Sequence, residues 1–317
     1  MELGLTGLPL SFRLASGDEI PSVGLGTWKA SSDDVVRAVT AALESGYRHI
    51  DGAWIYNNEA AVGSALQAMA HRVPRESIFI TSKLWNTFHN PEDIEPTLDE
   101  TLRMLQTEYI DLYLIHWPVA QTPTGGGTNV INWELTERPI KTWLKLEELV
   151  RAGKIRNIGV SNFNVRRLQN LTTSPEMTIK PVVNQVELNY WNPQPELLAW
   201  SKANNVLLEA YSPLGGDGMV SKTLKLPVVQ KIAKKLHITP AQVIISWHVQ
   251  RGTVVLPKSI DPGRISENYQ LFTLPHDLFK ELEDAATAHR PHRLSDPSAH
   301  WGLDIFEDDK DDESESH

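Results

Sequence analysis

The sequence contains no cysteine. That absence excludes disulfides, thiolate-ligated zinc, iron–sulfur clusters and a thiol nucleophile, and it leaves the chain indifferent to the redox state of its surroundings. No stretch of 18 apolar residues is present to cross a bilayer. No run of Lys and Arg offers the basic face that a nucleic-acid binder needs. The opening residues MELGLTGLPLSFRL lack a basic segment leading into an apolar core, so no secretory signal is expected, and the Asn170-Leu171-Thr172 sequon carries no weight without secretion. Neither HExxH nor an EF-hand loop occurs, and no metal site is expected. The absences point to a cytoplasmic chain without nucleic-acid or membrane partners.

What is present suffices for a large core: 317 residues, 41% of them apolar and 22% charged. The net charge of −10 is concentrated at one end, because residues 304–317 hold eight acids against Lys310 alone. Such a segment reads as a solvated, disordered tail, which sets the expected domain at 1–303. No linker rich in Pro, Gly or Ser divides that domain.

Along it a unit recurs: a short apolar run, a polar residue, a turn, then a helical pattern. The runs are VGLG (23–26), YRHID (47–51), IFITSK (78–83), YIDLYLIH (109–116), KIRNIGVSN (154–162), VVNQVE (182–187), VLLEAYS (206–212) and TVVLPKS (253–259). Helix-period stretches lie between them at 33–44, 59–71, 92–105, 139–151, 195–204, 227–236 and 240–250. Alternating strand and helix means parallel βα units, and eight of them in a chain of this length predict a single (β/α)8 barrel. Residues 11–23 read as a hairpin around Ser16-Gly17-Asp18, outside the eight-strand count. Residues 118–138, with Gly125-Gly126-Gly127, read as a long loop.

Barrel active sites form at the C-terminal strand ends. Here those ends are Asp51, Lys83, His116, Ser161-Asn162, Gln185 with Glu187, Tyr211-Ser212 and Lys258-Ser259. Any one of them has an ordinary explanation: Asp51 as a turn cap, Tyr56 as packing, His116 as a satisfied core histidine. Seven polar endings on one rim favour a site. A phenol beside an ammonium is a candidate acid, since the positive charge stabilises the phenolate. Tyr56 and Lys83 supply that pair, Asp51 holds the lysine charged, and His116 meets a carbonyl oxygen. The set suits protonation of a carbonyl as hydride arrives from a cofactor. Lys83 also leaves open a Schiff-base lyase. A third reading is a redox-sensing nicotinamide-binding module with no significant turnover.

The blocks GYRHIDGAWIYNNEAAVG (46–63), SKLW (82–85), LIHWP (114–118), GVSNF (159–163), NQVELN (184–189), YSPLG (211–215) and LPKS-x5-SEN (256–268) resemble, in order, the signature blocks of the aldo-keto reductases. The likeness is greatest to filamentous-fungal aldose and glyceraldehyde reductases and glycerol dehydrogenases. It implies an NADP(H)-dependent oxidoreductase reducing a small aldehyde, aldose or hydroxy-ketone to the alcohol, or oxidising a polyol in the physiological direction. It implies a catalytic tetrad of Asp51, Tyr56, Lys83 and His116. Ser161, Asn162 and Gln185 would hold the nicotinamide carboxamide, and Tyr211 would stack on the ring. Ser212 and Leu214 would line the pyrophosphate path, Lys258, Ser259 and Arg264 would clamp the 2′-phosphate, and Glu267 and Asn268 would meet adenine. Trp28, Trp85, His116 and Trp117 would wall the substrate pocket, and the chain would be a monomer or weak dimer.

Three features qualify this implied site. Asp261 places a carboxylate beside the phosphate clamp, the loop after Tyr211 is short, and the tail after Trp301 is acidic and lacks the apolar ending that walls the pocket in relatives. Gly24-Leu25-Gly26 is not a dinucleotide fingerprint, because Lys29 stands where its third glycine would fall.

Overall fold

Each of the eight runs forms a strand: β1 (Leu25–Gly26), β2 (His49–Asp51), β3 (Phe79–Leu84), β4 (Ile110–Ile115), β5 (Ile155–Ser161), β6 (Val183–Glu187), β7 (Leu207–Tyr211) and β8 (Val254–Val255). The computed structural model describes residues 7–125, 127–216 and 218–307. All neighbouring pairs are parallel and sequential from β1 to β8. The sheet closes on itself: Val23 bridges Val255, Gly24 N donates to Val255 O (2.9 Å) and Val255 N to Ser22 O (2.9 Å). Strands β3 and β4 are buried along their whole length, as expected where helices cover one face and the barrel interior the other.

The helices follow from capping as much as from apolar period. Ser31 caps Ser32–Ser45, which ends on Gly46 at φ 106°. Thr239 and Gln242 form a capping box on Pro240–Arg251. The hairpin pairs Ser11–Arg13 with Glu19–Pro21. Its Leu14 and Ile20 pack on Phe79, Leu112, Val183 and Val254, plugging the barrel at the end away from the polar rim.

Three expectations need correction. Residues 118–138 are not an irregular loop: Gln121–Gly125 pairs with Thr128–Ile131, and Trp133–Glu137 is helical. Gly125 and Gly127, at positive φ, lie where the two strands meet. Helices Val165–Thr172, Pro262–Asn268 and His276–Thr287 escaped the periodic reading. The first two span only about two turns, too short to establish a period.

The boundary at 303/304 also falls in the wrong place. Ile305 is fully buried and Phe306 nearly so, in a cluster with Val119, Trp117 and Trp301. Asn164 Nδ2 donates to Phe306 O (2.9 Å), Arg167 Nε to Ile305 O (3.1 Å), and Arg166 pairs with Glu307 at 2.7 Å. The first four residues of the supposed tail therefore belong to the barrel's packing. Residues 308–317 lie outside the described residues. Among the described residues, no helix is long and apolar enough to cross a membrane.

Candidate active site

Asp51 ends β2, and the chain then makes a single turn of 3₁₀ helix, Trp54–Tyr56. That turn brings the Tyr56 phenol back over the strand end. Lys83, on β3, reaches the same point from the neighbouring strand with no exposed surface. Its ammonium donates to both Asp51 carboxylate oxygens (2.8 and 2.9 Å), to Gly52 O (2.8 Å) and to Tyr56 Oη (3.3 Å). A buried lysine needs such partners. His116 extends the β4 ladder by donating its backbone N–H to Leu84 O (3.1 Å), and its ring centroid lies 5.8 Å from that of Tyr56. The four residues thus converge.

Their electrostatics differ from the simple expectation in one respect. Burial pushes the Tyr56 phenol up; Lys83 opposes this without reversing it. The lysine tempers a desolvated phenol and does not create an acidic one. Burial would push the Lys83 ammonium down, but Asp51, Tyr56 and Glu209 outweigh it, and the net shift is upward. Burial, reinforced by Lys83 and His89, holds the His116 imidazole well below its ordinary range, so the ring is neutral. The site therefore presents a protonated phenol, a charged ammonium and a neutral imidazole.

Around the tetrad, Ser161 Oγ donates to Gln185 O (2.8 Å). Asn162 takes a left-handed backbone (φ 64°), which asparagine tolerates. It is pinned there by donation of Nδ2 to His116 O (2.9 Å) and by acceptance from Tyr211 Oη (2.8 Å). Gln185 Nε2 donates to Asp51 Oδ1 (2.8 Å) and to Glu209 Oε2 (2.7 Å). Asn162 and Gln185 are therefore joined to the tetrad by direct hydrogen bonds, and Ser161 and Tyr211 through them.

The other expected residues are more dispersed. Ser212 O accepts from Gly215 N (2.9 Å) in a tight turn, and Leu214 packs half-buried on the apolar cluster that includes Val229 and Trp247. Lys258 and Arg264 are exposed, and Ser259 is buried. Glu267 accepts from Thr239 Oγ1 (2.8 Å), and Asn268 is buried. Asp261 is the N-cap of Pro262–Asn268, accepting from Arg264 N (2.8 Å), with its carboxylate 4.0 Å from Arg264 Nε. Its charge is thus engaged by the helix end and not free to turn away.

Trp85 and Trp117 flank His116, with ring centroids 5.3 and 6.3 Å from it. Trp301 joins them, 6.3 Å from Trp85 and 5.3 Å from Trp117. Phe306, after Trp301, lies 6.3 Å from Trp117, so the segment expected to lack an apolar ending does bring one to this cluster. Trp28 stands apart, 48% exposed, with the Lys29 ammonium 4.3 Å over its ring. Glu187, one of the polar strand ends, is engaged elsewhere. Its carboxylate accepts from Leu294 N and Ser295 N (3.0 and 2.6 Å) and clamps the C-terminal segment. Sequence reasoning missed Trp301, Glu209, His49 and His89. The first was masked by the acidic residues after it, and the others sit in runs that read as strand or turn.

A closed parallel barrel carries the Asp51–Lys83–Tyr56 constellation on its C-terminal rim, and comparison with known proteins places the chain among oxidoreductases. The chain belongs to the aldo/keto reductase family, whose model matches residues 22–287. It is 41% identical to a glycerol 2-dehydrogenase (NADP(+)) of Saccharomyces cerevisiae over 301 residues, 90% of this chain and 93% of the relative. It is 40% identical to an aldehyde reductase of the same yeast, covering 92% of this chain and 95% of the relative. An aldose reductase structure from Schistosoma japonicum superposes with a TM-score of 0.85 at 36% identity, covering 95% of this chain and 99% of that one.

Proposed function

We propose that this enzyme reduces a small aldehyde, aldose or hydroxy-ketone to the alcohol with NADPH, Tyr56 acting as the general acid. The observation that carries this reading is the half-buried Tyr56 phenol, 3.3 Å from an ammonium that is itself held by Asp51. An acid that must keep its proton until a developing alkoxide takes it suits a carbonyl substrate. The neutral His116 ring offers a hydrogen-bond donor beside the phenol without adding a second positive charge. Lys83 spends its hydrogens on Asp51, Gly52 and Tyr56 and stays charged, which disfavours an amine nucleophile and hence a Schiff-base lyase.

The residues present fit a nicotinamide dinucleotide. Amide and hydroxyl groups of Ser161, Asn162 and Gln185 converge at the ends of β5 and β6, a donor and acceptor set suited to a carboxamide. Two exposed cations, Lys258 and Arg264, suit a 2′-phosphate, arginine bidentately. Bound there, NADPH would supply the hydride. Tyr211, fixed by its bond to Asn162, would face the ring. The Trp85, Trp117 and Trp301 walls favour an apolar or sugar face over an anionic group. Polyol oxidation is a second reading, favoured by the likeness to glycerol 2-dehydrogenases of yeast and of Hypocrea jecorina.

The test is turnover by the purified full chain with NADPH and glyceraldehyde, and with NADP+ and glycerol, followed by nucleotide absorbance. Steady consumption of NADPH is expected. Binding of the nucleotide with no turnover of any carbonyl or polyol would leave the non-catalytic module as the better reading.

A further inference from the structure

Beneath the tetrad the barrel holds a second carboxylate. Glu209 has no exposed surface and stands opposite Gln185 in the β6–β7 ladder. A single nitrogen, Gln185 Nε2, donates both to Glu209 Oε2 (2.7 Å) and to Asp51 Oδ1 (2.8 Å). Because an ionised carboxylate only accepts, Asp51 fixes which end of the Gln185 amide faces inward. The other Glu209 oxygen, Oε1, makes no hydrogen bond and lies 3.4 Å from His49 Nε2.

The groups facing Glu209 come from three places: Asp51 and His49 on β2, Tyr56 on the turn that follows, and Lys83 on β3. Burial pushes the His49 imidazole down to about 3, so His49 brings no charge. One ammonium is therefore left to balance two carboxyl groups in a dry core, and two buried anions beside one cation is the costly arrangement. Burial, with Asp51 adding to it, pushes the Glu209 carboxyl up to about 8. At neutral pH Glu209 keeps its proton and the Asp51–Lys83 pair is balanced. In alkaline solution the proton leaves to solvent and a negative charge appears under the site. That charge acts on the Tyr56 phenol in the direction that holds its proton.

We propose that Glu209 is a positioning residue for the reaction, fixing Gln185 against Asp51 and, once ionised, keeping the proton on Tyr56. The proposal rests on the reading of Tyr56 as the acid and adds that alcohol oxidation, which needs the phenolate, is restrained in alkaline solution by a carboxylate that never touches substrate.

The test compares the full-length wild type with Glu209→Gln, which keeps the shape and an acceptor oxygen but cannot ionise. The tyrosine ring carbons would be labelled with ¹³C and the Tyr56 phenol titrated in both proteins, and kcat/KM for alcohol oxidation would be followed against pH. The phenol midpoint of Glu209→Gln should fall below that of the wild type. The two oxidation profiles should diverge above about pH 8, with the variant the faster. Coincident phenol titrations and coincident profiles would overturn the proposal. Should the variant fail to fold, ¹³C titration of the wild-type glutamate carboxyls decides: a buried resonance titrating near 8 supports it, and an ordinary midpoint for Glu209 overturns it. Absence of turnover by the wild type would count against the catalytic reading of Tyr56, while both titrations would still decide the role of Glu209.

Discussion

Lys83 shows how much one side chain can be asked to do. It neutralises the buried Asp51, anchors the turn through Gly52 O, and tempers the burial of the Tyr56 phenol. Lys83→Met should abolish turnover and also leave Asp51 as an unpaired buried charge, a change that costs about 3–5 kcal/mol. The expectation is therefore a large drop in denaturation midpoint, with Lys83→Met/Asp51→Asn recovering most of the stability and none of the activity. Recovery of activity in the double variant would show that the pair serves packing alone. Asp261 is the N-cap of Pro262–Asn268. Because it caps a helix beside Arg264, Asp261→Thr keeps a capping oxygen and removes only the charge. The preference for NADPH over NADH, measured as the ratio of Kd values, should widen in Asp261→Thr and narrow in Arg264→Ala. Both side chains are more than half exposed, so the changes should shrink with added salt. A ratio unmoved by either substitution would remove these residues from the cofactor site.

At the scale of elements, strand ends were legible because their chemistry cannot be explained by packing. Asp51, Lys83, His116 and Gln185 each terminate an apolar run, and each reaches the site. Glu187 looked the same in sequence and proved to be a clamp: two residues beyond Gln185 it shares that strand face, but its carboxylate is taken by the backbone N–H groups of Leu294 and Ser295, more than 100 positions away. The C-terminal segment was misread for a related reason. Composition over 304–317 is dominated by charge, yet Ile305 and Phe306 need only one apolar hollow, formed by Val119 and Trp117, to become buried. Burying a large apolar side chain contributes about 1.5–3 kcal/mol. Truncation after Leu303 should therefore lower Tm by several degrees relative to truncation after Glu307, and should disturb Trp301 and raise KM for the carbonyl. Equal midpoints for the two truncations would show that Ile305 and Phe306 contribute nothing. The hairpin Gln121–Gly125/Thr128–Ile131 was hidden by glycines that mark a turn as readily as a flexible loop.

For the whole molecule, closure of the barrel concentrates ionisable groups in a dry interior, and stability becomes pH-dependent in two opposed ways. His49, His89 and His248 are each pushed by burial down to about 3. The unfolded chain binds their protons more readily, so their contribution is present above the ordinary histidine range and is lost as pH falls towards 3. Glu209 behaves oppositely: its folded value, about 8, lies above the ordinary 4.5, so its contribution is full below 4.5 and is lost as pH rises to about 8. The unfolding free energy, measured by urea titration, should fall between about pH 6.5 and 8, and Glu209→Gln should flatten that fall. A fall of the same size in both proteins would place the cause elsewhere.

The barrel and the tetrad together amount to one claim, that the half-buried Tyr56 phenol delivers the proton to a carbonyl oxygen as hydride arrives. Tyr56→Phe removes that proton and nothing else of the scaffold. Single-turnover reduction of an aldehyde by the NADPH-loaded protein is therefore the most direct measurement. NADPH affinity should stay close to that of the wild type, while the rate of the chemical step falls by the ~10²–10⁴ that loss of a general acid produces. A chemical step within a few-fold of wild type would contradict the account.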